Sequence, residues 1–290
     1  MPGRVAIVTG GASGIGLAVV EYLVDADWSV TVVDLNTTTG AQIAERFGDR
    51  VLFVRGNVAV YNDQVNAFAL TEERWGQVDF GIRPKGIVDR LDFCRPAKDF
   101  DRGAPQEPDS LVIDIDLKGV IWSSYLALHF FRKNPPKGGK LVMTSSSAGL
   151  YSAPDVSLYS AAKYGVVGLA RSLGQRLKDD GEPITVNAIC PGAVPTAIFS
   201  KELADALPSE VITPTSTIVE AIKYILQDAT VTGQAIECSG REFSARPVLP
   251  YLNEAAEFTS GGKYKELISP GDGLMEYSIR KAAGTNGSVS

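Results

Sequence analysis

One histidine, His129, and three cysteines are all that the chain carries of these two residue types, and both scarcities exclude chemistry. A lone histidine cannot serve a Ser/His/Asp relay anywhere but at its own position, nor build a multi-histidine metal site. His129 itself sits among Leu128, Phe130 and Phe131, where packing is the expected role. Cys94, Cys190 and Cys238 lie far apart and form no CxxC pair. That pattern suits neither a disulfide framework nor a zinc ribbon, and it fits a reducing, cytoplasmic setting. Basic blocks are missing as well: 28 Lys+Arg against 34 Asp+Glu leave a net charge of −6. Such a chain is poorly equipped for a phosphate backbone, so no nucleic-acid partner is expected. No apolar run approaches the roughly 18–20 residues of a membrane span, and no membrane partner is expected. With the first strand starting by Val5, no secretory leader is expected either.

What remains is an ordinary globular composition, 290 residues with 44% hydrophobic, long enough to bury a substantial core without staples or metals. Val5–Thr9 is continuously apolar until its threonine and reads as a strand covered on both faces. Helical spacing follows through Ala18, Val19, Tyr22 and Leu23, then a second strand from Ser29 to Asp34. Helices and strands continue to alternate: strands over 51–55, 78–82, 140–145, 185–189 and 234–238, and helices over 41–47, 63–75, 111–132, 159–177 and 217–226. This rhythm specifies a single α/β, doubly wound parallel sheet of about seven strands with helices on both faces. It occupies residues 1–260, followed by a partly disordered extension over 261–290. The stretch 83–108, rich in charge and proline, reads as irregular.

Between the first strand and first helix lies Thr9-Gly-Gly-Ala-Ser-Gly14-Ile-Gly16. Glycines there let backbone approach a pyrophosphate, and the helix N-terminus supplies unpaired N–H groups and the positive end of a dipole. The bland alternative is a tight turn that packs helix on strand. Asp34 ends the second strand eighteen residues after Gly16, where a carboxylate can accept both ribose hydroxyls of an adenosine and repels a 2′-phosphate. Leu35 and Asn36 follow it, with no cation to offset that repulsion. The cofactor expected is therefore NAD(H) rather than NADP(H); otherwise Asp34 is a solvated strand-end acid.

Tyr159 and Lys163 stand four apart on a helix and project from one face. A phenol titrating near 10 is a poor acid or base at neutral pH, and an ammonium beside it favours the ionised form. Such a pair can take the proton of an alcohol whose hydride is leaving, or return it to a ketone. A half-buried helix tyrosine is the alternative. Thr144-Ser-Ser146-Ser ends the preceding strand on the carboxyl edge, where open α/β sheets bind ligands.

Over roughly residues 3–240 the sequence resembles the short-chain dehydrogenase/reductase family, with a weaker likeness to its 15-hydroxyprostaglandin dehydrogenase-like, fungal-type branch. The residues that carry it are the T-G-x3-G-x-G turn, Ser146 thirteen before Tyr159, Y-x-x-x-K, and Pro191-Gly192 with Thr196. The resemblance implies a Rossmann fold in which Ser146 orients the substrate oxygen, Tyr159 is the acid/base and Lys163 binds the nicotinamide ribose. It implies further cofactor contacts from Gly10, Ser13, Gly14, Ile15 and Gly16, from Asn57 and Val58, and from Pro191, Gly192, Val194 and Thr196. Asn57, where the family usually has Asp, still offers acceptor and donor to an adenine edge.

Two departures stand out. Arg83-Pro84-Lys85-Gly86 replaces the family's N-N-A-G. Pro84 cannot donate, so the central ladder should end there. Arg83 and Lys85 either reach the acids of the following loop or face an anionic group of cofactor or substrate. Asp116 stands where the family has an Asn that holds a relay water. At about 6 Å and an effective dielectric near 20, its charge would stabilise Lys163 by roughly 2–3 kcal/mol.

By the same resemblance a lid spans about 195–215, and Ile198, Phe199, Leu203 and Leu207 suggest an apolar wall, with Tyr151 and Leu158 beside it. The expected substrate is a small hydrophobic alcohol or ketone, in specialised metabolism. The insertion 87–110 and the extension 243–264 could narrow the entry. A homo-oligomer, dimer or tetramer, is expected through the helices of Asp116 and Tyr159, with Trp122, Tyr125 and Leu126 as contacts or core. Three functions stay open: the NAD-linked dehydrogenase, the same scaffold redirected to isomerisation, cyclisation or dehydration, and a non-catalytic cofactor sensor.

Overall fold

The computed structural model describes residues 3–83, 86–89, 92, 94, 103–104, 106–196 and 205–262. The expected lid residues Ile198, Phe199 and Leu203, together with Pro84, Lys85 and the tail beyond 262, lie outside them. Chain contacts divide the molecule after Arg246. The first unit is one sheet clad by helices. The second, from Pro247, contains a short helix, Glu254–Ser260, capped by the Asn253 carboxamide on Ala256 N–H.

In chain order the sheet-forming half runs β1 (Val5–Thr9), α1 (Gly14–Asp25), β2 (Ser29–Asp34), α2 (Thr37–Phe47), β3 (Val51–Arg55), α3 (Tyr61–Trp75) and β4 (Phe80–Arg83). A composite helix follows: α4 (Leu111–Ile113), a π-turn (Asp114–Lys118) and α5 (Gly119–Lys133). Then come β5 (Gly139–Thr144), α6 (Ser157–Asp179), β6 (Ile184–Pro191), α7 (Thr215–Gln227), β7 (Ala235–Ser239) and β8 (Glu242–Arg246). Strand order is β3-β2-β1-β4-β5-β6-β7-β8. All pairs are parallel except β7 with β8. The order reverses direction between β1 and β4, which opens the ligand crevice of such folds at their carboxyl ends.

Burial follows the period of two in β1: Val8 joins the cluster under α1 and α7, and Ile7 the one under α3, α5 and α6. Helix α7 supplies Ile218, Ala221, Ile222 and Ile225, the i, i+3, i+4, i+7 stripe of a core-facing helix. Helix α3 stops at Gly76, whose φ of 77° a side chain would resist.

Several expectations change. The expected parallel sheet of about seven strands is present as β1–β7, and Phe243 and its neighbours, expected as an extension near the entry, add an eighth, antiparallel edge strand. The helix expected over 111–132 is interrupted by the π-turn that carries Asp116. His129, expected to pack, is exposed on α5 with its ring edge-on to Phe130. Strand β4 does end at Arg83, paired with Met143.

Candidate active site

At the carboxyl ends of β1, β5 and β6 three loops meet. The first is the glycine turn. Gly10 and Gly14 take φ of 70° and 53°. A Cβ on Gly16 would lie 2.2 Å from the Gly10 carbonyl oxygen, so helix and turn approach each other as only glycine permits. Ser13 makes no side-chain cap and the first turn of α1 holds no acid. That positively polarised helix end, lined by backbone, fits a pyrophosphate. Asp34 is buried behind the turn, its Oδ2 accepting from Ala12 N–H at 3.3 Å and its Oδ1 from Asn36 N–H at 3.1 Å. It braces the loop it was expected to serve. Asn57 uses its carboxamide oxygen on Ala59 N–H, 3.0 Å, and its own backbone N–H donates to Asp63 Oδ2 at 2.8 Å. Val58 carbonyl accepts from Gln64 Nε2, which also reaches Gly119 O.

The second loop follows β5. Ser146 extends the strand and accepts Ala148 N–H at 3.2 Å, starting a 3-10 turn (Ser147–Gly149). Two hydroxyls staple this turn to α6: Ser145 to Lys163 O and Ser160 to Ala148 O, both 2.8 Å. A Cβ on Gly149 would sit 2.3 Å from Ser145 Oγ and 2.7 Å from Lys163 O. Glycine is what lets the serine turn close on the helix.

Tyr159 and Lys163 stand on the first turns of α6, with the Lys163 ammonium 5.1 Å from the Tyr159 ring centroid. Lys163 is buried, donates to Thr144 O at 3.2 Å, and pairs with Asp116 Oδ2 at 3.1 Å. The expected 6 Å separation is therefore a direct ion pair. The other Asp116 oxygen accepts Ile87 N–H at 3.0 Å.

The third loop follows β6. Gly192 N–H reaches Cys238 O at 2.8 Å, and Thr213 N–H reaches Ala193 O at 2.7 Å. Thr196 comes beside the glycine turn, its Cγ2 3.0 Å from where a Gly14 Cβ would stand.

These loops enclose a cavity of about 350 Å³. Ser146, Tyr159, Lys163, Pro191, Gly192, Val194, Thr196 and Ile15 all border it. Tyr151 and Leu158 do not: the Tyr151 hydroxyl donates to Glu237 Oε2 at 2.8 Å, a partner that raises its pKa, and Leu158 turns its N–H to Asp89. A larger cavity, about 910 Å³, lies at the opposite edge of the sheet around Trp28, Asp79 and Lys140 and contains none of these residues. Among the described residues, no group of His, Cys, Asp and Glu is arranged to hold a metal.

Arg83 does not border the cavity of Ser146, Tyr159 and Lys163. Its guanidinium is buried beneath the π-turn and donates to Ile115 O, while Nε and Nη1 find no hydrogen bond among the described residues. Burial lowers its pKa to about 10, against the opposing pull of Asp116. Cys190 and Cys238 are likewise pushed up to about 12 by burial, which makes them poor nucleophiles. Sequence reasoning missed Gln64, Gly149 and Asp89; none belongs to a short motif, and Asp89 falls in the aperiodic stretch after β4.

An open, doubly wound sheet with a glycine turn, and with Ser146, Tyr159 and Lys163 bordering one cavity at its carboxyl edge, defines a Rossmann-type fold. The short chain dehydrogenase family profile matches residues 4–206, and the chain belongs to that family. It is 36% identical over 256 residues to the short-chain dehydrogenase/reductase prx7 of Penicillium rubens, covering 86% of this chain and 89% of that one. It is 31% identical to the human 15-hydroxyprostaglandin dehydrogenase [NAD(+)], covering 77% and 80%. The fold is shared with a 3-ketoacyl-(acyl-carrier-protein) reductase from Brucella melitensis complexed with NADH. That likeness has a TM-score of 0.70 at 22% identity, over 82% of this chain and 98% of that one. No helix among the described residues is long and apolar enough to cross a membrane.

Proposed function

We propose that the protein is an NAD(H)-dependent oxidoreductase that interconverts a hydrophobic secondary alcohol and its ketone. One observation carries this reading: Tyr159, Lys163 and Ser146 border a single cavity that they share with Ile15 of the glycine turn. Bound nicotinamide supplies the ring that accepts or donates hydride. Ser146 orients the substrate oxygen. Tyr159 takes the alcohol proton or returns it to the ketone, while the Lys163 ammonium places positive charge beside the phenol as that proton moves. Gly10, Ser13, Gly14 and Gly16 hold the pyrophosphate, Asp34 the adenosine ribose, Asn57 and Val58 the adenine, and Pro191, Gly192, Val194 and Thr196 the carboxamide end. The Asp34 carboxylate favours NAD(H) over NADP(H), in line with the NAD(+) named for the human relative. Ile15, Val88, Val156 and Val194 give the cavity apolar walls, which suit a hydrophobic substrate. Exposed Ile121 and Tyr125 on α5 and Tyr164 on α6 support assembly through those helices.

The test compares NADH and NADPH by thermal shift, then turnover on a panel of hydrophobic ketones and alcohols. Tyr159→Phe should bind NADH like the wild type and transfer hydride at least about a hundredfold more slowly. Failure of both dinucleotides to stabilise the fold sinks the proposal. One observation favours a second reading, in which the scaffold serves isomerisation or dehydration: Asp116 takes up the Lys163 ammonium directly. Deuterium passing from labelled NADH into product eliminates it.

A further inference from the structure

We propose that Asp89 is a positioning residue for Tyr159, anchoring residues 86–89 as a strap between the two helical segments that hold the reacting groups. The inference rests on the acid/base role given to Tyr159 above.

Helix α6 begins without a cap of its own. Its N-cap residue is Val156, which has no acceptor, and its first turn holds no acid. A helix start leaves four N–H groups unsatisfied. Two of them find a carboxylate from about seventy residues upstream: Leu158 N–H donates to Asp89 Oδ2 at 2.8 Å and Tyr159 N–H to Asp89 Oδ1 at 2.5 Å. The second of these amides belongs to the residue whose phenol moves the proton. A charged acceptor at a helix N-terminus is also favoured by the dipole.

The same strap is held at its other end by Asp116, whose Oδ1 accepts Ile87 N–H at 3.0 Å. Gly86 lies so close that a Cβ there would meet Asp116 Oδ2 at 2.4 Å. Two carboxylates thus grip a four-residue segment: Asp116 ties it to the π-turn and to Lys163, and Asp89 ties it to the turn bearing Tyr159. Between them Val88 borders the cavity, along with Val156 and Tyr159.

Farther along α6, Ser145 on Lys163 O fixes the helix independently, while within the first turn Ser160 anchors its hydroxyl on Ala148 O. Loss of Asp89 therefore loosens the first turn and leaves Lys163 in place. A reacting side chain tolerates displacements of only about half an ångström, so the effect should fall on turnover and not on dinucleotide binding.

The test uses the full-length chain with Asp89→Ala, Asp89→Asn and the wild type, read by amide hydrogen exchange and by NADH-dependent reduction of benzil as the probe carbonyl. Asp89→Ala should speed exchange at Leu158 and Tyr159 at least tenfold while amides from Ala162 to Ala170 stay as protected as before. With benzil, kcat should fall at least tenfold and the NADH dissociation constant should change less than twofold. Asp89→Asn keeps one acceptor oxygen and should recover part of both losses. Unchanged exchange at Leu158 and Tyr159 overturns the proposal, whatever benzil shows. So does a turnover loss in Asp89→Ala matched by an equal loss of NADH binding. If the wild type reduces no benzil, or Tyr159→Phe reduces it as well as the wild type, the acid/base reading fails, and the exchange measurement still decides whether Asp89 holds the turn.

Discussion

Asp116 Oδ2 and Lys163 Nζ lie 3.1 Å apart with side chains 0% and 3% exposed, a buried ion pair at the foot of the proposed reaction site. Two charges withdrawn from water stay stable only while each satisfies the other. Truncating one leaves the survivor unpaired, which costs about 3–5 kcal/mol.

Asp116→Ala should accordingly lower unfolding free energy in urea by an amount in that range. Asp116→Asn should lose less, because its single carboxamide oxygen can still accept from one of the two donors, Ile87 N–H or the Lys163 ammonium. Equal stability of the two variants would show that the hydrogen bonding of residue 116 contributes little beside its charge pairing.

The serine turn and α6 make a paired test of packing. At Gly149 a methyl group would collide with Ser145 Oγ and Lys163 O, whereas at Gly168, within α6, nothing lies within 4 Å. Gly149→Ala should destabilise by about 1–3 kcal/mol and reduce turnover by shifting Ser146. Gly168→Ala should stabilise by about 0.5–1 kcal/mol through helix propensity alone. Chemical denaturation of the two variants side by side checks both signs.

Much of this was legible in the sequence for a physical reason. Parallel strands buried on both faces read as unbroken apolar runs, and amphipathic α7 betrays its core stripe through Ile218, Ile222 and Ile225. Strand β8 was not legible, because Glu242–Arg246 is exposed along its whole length and offers no alternation of burial. The π-turn was hidden because Asp114–Lys118 is only five residues long, too short to show a period of its own. At the site, the motif residues Ser146, Tyr159 and Lys163 do border one cavity. The contacts that fix them come from Asp89, Gly149 and Ser145, which pair across tertiary distances that no local spacing records. The place of Arg83 was not legible for a related reason: a charged side chain after a strand suggests solvent or an anion, and only the fold shows the guanidinium turned beneath a helix.

Asp34 has two jobs that one substitution can separate. Its carboxylate holds Ala12 and Asn36 backbone and, on the reading above, selects against a 2′-phosphate. Asp34→Asn should raise the ratio of NADPH to NADH affinity at least about tenfold, since the repulsion disappears. It should also cost about 1.5–3 kcal/mol of stability, the worth of hydrogen bonds to a charged acceptor. Parallel fluorescence titrations with the two dinucleotides measure the first effect and urea unfolding the second. A preference left untouched would mean that Asp34 only braces the turn.

At the opposite edge of the sheet, Asp79 Oδ2 accepts both Val5 N–H at 2.7 Å and Gln77 Nε2 at 2.8 Å. Burial raises its pKa above 3.8, outweighing these two hydrogen bonds and the nearby Arg4, which pull it down. The folded protein therefore keeps this proton to higher pH than the unfolded chain does. Stability from the group is complete below the unfolded value, about 3.9, and is lost as pH rises through the raised folded value. An asparagine at 79 has no proton to lose. The difference in unfolding free energy between Asp79→Asn and wild type should move in favour of the variant as pH climbs from about 4 through the raised folded value, and level off above it. Urea unfolding at half-unit pH steps reads the slope directly. A difference that runs the other way would mean that the hydrogen bonds to Val5 and Gln77, not burial, govern this carboxylate.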